Sequence, residues 1–141
     1  MPELLRSIAG RLRVLVGNRR YARRHPVRVR ASVSLLDPKA AREGRDSALT
    51  PPLDCHTCDI SETGLCLVAP SIRVGQHYLT GDGRVLRVAL ELPSGTLAVR
   101  ALPVRYERLE DGPDTGYLIG AHFTELNADN RARLLDFLKN S

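Results

Sequence analysis

The sequence predicts a mainly β protein, a small antiparallel barrel with an α-helix at its C-terminal end and an additional amphipathic helix at its N-terminal end. Three observations lead there. Between residues 27 and 123 the apolar residues fall in short runs, several alternating with polar residues and separated by Gly, Pro and Asp. After Asn127 the apolar spacing changes to that of a helix. The chain has 141 residues, enough for one modest core and too few for two. Aromatic residues are scarce and Trp is absent, so that core must be built from Val, Leu, Ile and Ala.

Taken in order, residues 3–16 place Leu4, Leu5, Ile8, Leu12, Leu15 and Val16 at helical spacing, with arginines between them. Gly17-Asn18 is a fitting helix end. The apolar stripe of this helix is suited to packing on the domain, on a partner protein or at a membrane interface. Arg19 to Arg24 reads as a basic linker, which Pro26 prevents from continuing as helix. We therefore place an N-terminal helix and linker at 1–22 and the barrel domain at 23–141.

From Val27 to Leu35 the residues alternate, as in a half-buried strand. Residues 37–52 are polar and rich in proline, and predict a long exposed loop with one helical turn around Ala40-Ala41-Arg42. Leu53–Ile60 and Leu65–Ala69 read as strands joined by the turn Asp59-Ile60-Ser61-Glu62-Thr63-Gly64. A connection punctuated by Gly75, Gly81 and Gly83 leads to a strand over Val85–Leu92. Pro93-Ser94-Gly95 turns it into a partner strand over Leu97–Tyr106. A turn over Glu110–Asp114 precedes a strand over Tyr117–Phe123. Asn127 is a suitable N-cap for a last helix, with Leu134, Leu135, Phe137 and Leu138 as its apolar face to about Lys139.

The net charge of +5 is unevenly spread. Nine arginines and one acid, Glu3, fall within residues 1–30, whereas the other 111 residues hold twelve bases and fifteen acids. The excess at the front points to an anionic partner, or to a basic segment that merely aids solubility. No apolar run approaches the roughly 18–20 residues that span a bilayer, and Arg6, Arg11 and Arg13 interrupt any signal-peptide core. The expected location is cytoplasmic. Cys55-His56-Thr57-Cys58 has zinc-knuckle spacing, but no second such pair supplies four ligands. Cys55, Cys58 and Cys66 are expected to be buried and reduced, and no metal is expected. His25, His56, His77 and His122 fall on separate segments, none with an obvious Ser or Cys partner for base catalysis, so no catalytic residues are expected and the chain does not read as an enzyme.

Two motifs remain. Arg23-Arg24-His25-Pro26-Val27-Arg28 is a knot of arginines at the start of the first strand. Arginine forks pair with phosphate oxygens or with the O6/N7 edge of guanine, and the flat guanidinium stacks on a base. In the turn, the Asp59 carboxylate suits the N1–H and N2–H donors of guanine. The Ser61 hydroxyl suits either the turn backbone or a ligand, and Gly64 allows a positive φ or a close backbone approach.

Arg24-x-x-x-Arg28 followed by Asp59-x-Ser61-x-x-Gly64 resembles the paired signature of the PilZ domain, a bacterial receptor module for cyclic di-GMP. Leu118-Ile119-Gly120-Ala121-His122-Phe123 and the helix after it resemble the end of that domain, so the likeness covers about residues 23–139. It implies a six-stranded barrel and a ligand site of Arg23, Arg24, Arg28, Asp59, Ser61 and Gly64, with cyclic di-GMP as ligand and no other cofactor. An arginine at position 23 implies two ligand molecules per site. The 37–52 loop and the 76–84 connection depart from the family pattern. The implied role is a non-enzymatic receptor whose arginine linker wraps the dinucleotide and repositions the N-terminal helix against an unidentified protein partner, in motility, exopolysaccharide synthesis or biofilm formation. A PilZ-like adaptor that binds no nucleotide is the competing reading. Nucleic acid is not an expected partner, because aromatics for base stacking are few.

Overall fold

The computed structural model describes residues 25–110, 116–124 and 126–140. Helix 3–16, Arg23, Arg24 and most of the turn after Glu110 lie outside the described residues. The strands are β1 (His25–Pro26), β2 (Arg30–Leu35), β3 (Leu53–Ile60), β4 (Gly64–Ala69), β5 (Arg73–Val74), β6 (His77–Tyr78), β7 (Leu86–Leu92), β8 (Gly95–Leu109) and β9 (Gly116–Phe123). Two helices, α1 (Pro38–Arg42) and α2 (Ala128–Lys139), complete the described elements.

Antiparallel pairing runs β3–β2–β7–β8–β9–β4, and β4 pairs back onto β3. Six strands thus close into the expected barrel, which leaves no open edge among them. The alternation that predicts the strands also points their apolar residues inward. Ala31, Val33 and Leu35 of β2 meet Leu86, Val88 and Leu90 of β7 across the register, and all six are nearly or fully excluded from solvent. Leu67 of β4, Leu97 of β8 and Ile119 of β9 join the same cluster. Each such side chain contributes about 1.5–3 kcal/mol by leaving water, and no Trp is needed to fill the space.

The first strand differs from its expected form. In place of one strand from Val27 to Leu35, residues 27–29 interrupt the ladder between β1 and β2. Segment 37–52 is partly anchored, although 42–49 are exposed as expected. Asp37 caps α1 by accepting from the Lys39 N–H at 3.1 Å, and Ala40 is buried. The Leu35 N–H donates to the Thr50 hydroxyl at 3.0 Å, and Leu36 bridges Ala48. The connection after β4 folds into the small β5–β6 hairpin.

α2 begins as expected, the Asn127 side chain accepting from the Asn130 N–H at 2.8 Å. Leu134 and Leu138 enter the barrel core, with Phe137 packed against it. Leu135 leaves the expected apolar face and is 37% exposed, because one residue turns a helix by about 100° away from the 134/138 stripe. Arg133 ties the helix to the β7–β8 hairpin, donating to the carbonyls of Thr96 at 3.2 Å and Gly95 at 3.1 Å. Among the described residues no helix is long and apolar enough to cross a membrane.

The cysteines require a correction. All three are buried as expected, but Cys58 and Cys66 form a disulfide rather than remaining reduced. The cause is the β3–β4 register, which shifts between Thr57 and Asp59 and sets Asp59 opposite Cys66. That shift leaves the Cα atoms of Cys58 and Cys66 5.5 Å apart, in the range that a disulfide bridges. Cys55 stays free, its thiol pushed up to about 12 by burial and secondarily by Asp54. Native protein treated with iodoacetamide at pH 8 is therefore expected to remain unmodified. Unfolding without reductant should expose one reactive thiol, and unfolding with reductant three, counted by mass spectrometry.

Candidate ligand-binding site

The arginine-rich strand start and the polar turn come together because β1 pairs with the end of β3. His25 lies opposite Ile60 and Pro26 opposite Asp59. Pro26 has no N–H to give a ladder, and it sits at a strand terminus where that is tolerated. Beyond it, the Val27 N–H donates to the Cys58 carbonyl at 3.2 Å. Thr57 then fixes the interruption from both sides. Its hydroxyl accepts from the Val29 N–H at 2.8 Å and donates to the Val27 carbonyl at 2.6 Å. Arg28, between those two residues, is exposed.

Thr57 is a site-forming residue that the sequence motifs do not flag, since a Thr on a strand is unremarkable until its partners are known. Thr57→Val keeps the shape but leaves a buried N–H and a carbonyl unmatched. It is expected to destabilise the fold by about 1–3 kcal/mol, read as a lower urea midpoint with unchanged m-value.

The turn is built around Ser61, which is fully buried. Its N–H donates to the Gly64 carbonyl at 2.8 Å. Its hydroxyl oxygen accepts from the N–H groups of Thr63 and Gly64, both at 3.2 Å. A Ser hydroxyl spans that distance where Ala would leave the turn's N–H groups unmatched. Of the two roles open to Ser61, the contacts within the chain are those of a turn lock. Gly64 holds its place for close approach and not for positive φ. It faces His122 across β4–β9, and a Cβ there would run into the Ala121 carbonyl oxygen and lie 3.2 Å from the His122 Cα. The Phe123 N–H donates to the Thr63 carbonyl at 2.8 Å, fastening the turn to β9.

Asp59, one residue before the end of β3, is fully buried. Arg28, Asp59, Ser61 and Gly64 thus lie along one continuous path from the interruption to the turn, and Arg23 and Arg24 lie outside the described residues. Among the described residues no group of three or more His, Cys, Asp or Glu side chains is placed to hold a metal ion.

A closed six-stranded barrel, with one short strand laid beside a locked polar turn, is the architecture that signature implies. The chain belongs to the PilZ domain family, which it matches over residues 18–140. No curated protein matches it. Its fold is similar to the PilZ domain of YcgR from Escherichia coli solved with c-di-GMP (TM-score 0.59, 13% identity, 86% of this chain and 90% of that one). It is also similar to the Bacillus subtilis inhibitor of motility MotI/DgrA (TM-score 0.58, 16% identity, 86% of this chain). The PilZ domain of CeSA from a cellulose-synthesizing bacterium is a third (TM-score 0.51, 14% identity, 84% of this chain and 96% of that one). The chain spans about half the length of MotI/DgrA, 50% of that protein being covered.

Proposed function

We propose that the chain is a non-enzymatic receptor for cyclic di-GMP. The observation that supports this reading most is the β1–β3 register, which sets Pro26, inside the Arg24-x-x-x-Arg28 motif, opposite Asp59 at the start of the Asp59–Gly64 turn. Arg23, Arg24 and Arg28 hold phosphates and stack on guanine, Asp59 meets the donor edge of the base, and Ser61 and Gly64 keep the turn in shape. Two ligand molecules share the site. Because Asp59 is buried, a guanine reaches its carboxylate only when the polypeptide around it moves. β1 pairs over two residues and is the part of the site that yields most easily.

Movement of β1 carries the segment before it, so ligand binding repositions residues 1–22 relative to the barrel at 23–141 and changes their contact with a protein partner. The fold shared with a c-di-GMP-bound PilZ domain and with an inhibitor of motility supports a cytoplasmic effector in motility or a related surface process. The competing adaptor role predicts partner binding that is indifferent to the nucleotide. Titration calorimetry with cyclic di-GMP separates them: saturable binding near two ligands per chain is expected, with far weaker binding of cyclic di-AMP, which lacks the guanine donor edge. Absence of binding heat and of any competition by cyclic di-GMP would favour the adaptor.

A further inference from the structure

On the outer face of β7, β8 and β9 lies a cleft of about 850 Å³, a volume suited to a nucleotide-sized ligand. It reaches the turn at Glu62 and Thr63, but Arg28, Asp59, Ser61 and Gly64 do not line it. We propose that this cleft is a second anion site, for the phosphate of a small organic molecule, and that Asp46 is its built-in competitor.

The floor of the cleft carries two arginines where a sheet would ordinarily separate them. Arg87 and Arg100 are directly opposite in the β7–β8 register, and Arg100 points outward, alternating with buried Val99 and Ala101. Like charges directly opposite on a sheet destabilise it, and an anion between or beside them removes the penalty. Asp46 supplies one such charge. Its Oδ1 accepts from Arg100 Nε at 2.9 Å and from Nη2 at 2.5 Å. Two adjacent N–H groups of one guanidinium converging on a single anion is also how arginine takes a phosphate oxygen.

Arg100 is held in that pose from behind, its Nη1 donating to the Ala41 carbonyl of α1 at 2.9 Å. Its side chain is only 27% exposed, while Asp46 is 53% exposed and sits in the 42–49 stretch that the fold leaves most open. The cation is fixed and the acid is replaceable. Asp46 is paired with Arg100, and Arg87 lines the same cleft. On the far wall, Arg131 of α2 is paired with Glu62 at 3.4 Å, both well exposed, and can turn to an incoming phosphate. The long 37–52 segment, a departure from the family pattern, thereby acquires a role: it places a carboxylate in the cleft that a phosphate must displace.

The test uses the full chain, inorganic pyrophosphate as probe and backbone amide chemical shifts as readout, at low ionic strength. Pyrophosphate is expected to shift amides at Arg87, Arg100 and Thr124. Asp46→Asn should tighten that binding about fivefold, the scale of one partly exposed charge pair. Arg87→Gln and Arg100→Gln should each weaken it by a similar factor while thermal midpoints stay close to wild type. Shifts confined to residues 25–29 and 57–61, or an Asp46→Asn variant that binds no tighter, would overturn the proposal. Cyclic di-GMP added to Arg28→Ala separates the sources. Shifts at Arg87 and Arg100 identify the same dinucleotide as occupant, and shifts there with pyrophosphate alone identify a different phosphate compound. The pyrophosphate result does not depend on the receptor reading, which can fail while the cleft site stands.

Discussion

Arg28→Ala is expected to weaken cyclic di-GMP binding roughly 10- to 150-fold, the loss of one or two charge-assisted hydrogen bonds at about 1.5–3 kcal/mol. The fold should be little affected, because Arg28 is exposed and the backbone on either side of it is held by Thr57. Paired calorimetric and thermal-melt measurements distinguish a ligand contact from a structural one. Arg28→Lys gives a finer reading. Lysine keeps the charge but loses the planar fork and the stacking face. If the arginine recognises guanine and phosphate together, Lys recovers only a small part of the affinity. Full recovery would reduce Arg28 to a point charge and remove its contribution to guanine selectivity.

Gly64→Ala should produce the largest loss of stability of any single methyl addition in the site. The new Cβ meets backbone on β9, the Ala121 carbonyl and the His122 Cα, and neither can rotate away as a side chain would. The β4–β9 ladder would have to open locally, at roughly 2–4 kcal/mol, which lowers the thermal midpoint by on the order of 10 °C. Glu62→Ala, two residues earlier and exposed, should stay within about 0.5 kcal/mol of wild type. If Gly64→Ala proved neutral, the turn and β9 could not be packed as closely as described. Loss of ligand binding in Gly64→Ala follows from the fold and would say nothing of direct contact, which is why Arg28 is the better probe of function.

Much of the barrel could be read from the chain because period-two patterns survive wherever one strand face is buried. Residues 53–60, 64–69, 86–92 and 116–123 all lie within a residue or so of the expected bounds. β8 extends to Leu109, past the expected Tyr106, because β9 continues to pair with it beyond the point where β7 stops. The break at 27–29 was not legible: its cause is a side chain 28 residues away, Thr57, and alternation in the local sequence continues through it. The disulfide was hidden for a similar reason, since Cys58 and Cys66 face one another only through a shift in pairing register. In the turn, residue types marked Ser61 and Gly64 as special, but which of their possible duties each performs required neighbours from β9. The cleft acid Asp46 had no signature at all, standing 54 residues from the arginine it serves.

The most direct test of the receptor account is to titrate cyclic di-GMP into the full chain and map backbone amide shifts. Binding at the joined strand start and turn predicts saturable shifts at Val27, Arg28 and Val29 together with Asp59 to Gly64, with the midpoint in Arg28→Ala raised roughly 10- to 150-fold. Shifts absent from both segments, or present in Arg28→Ala as in wild type, would contradict it.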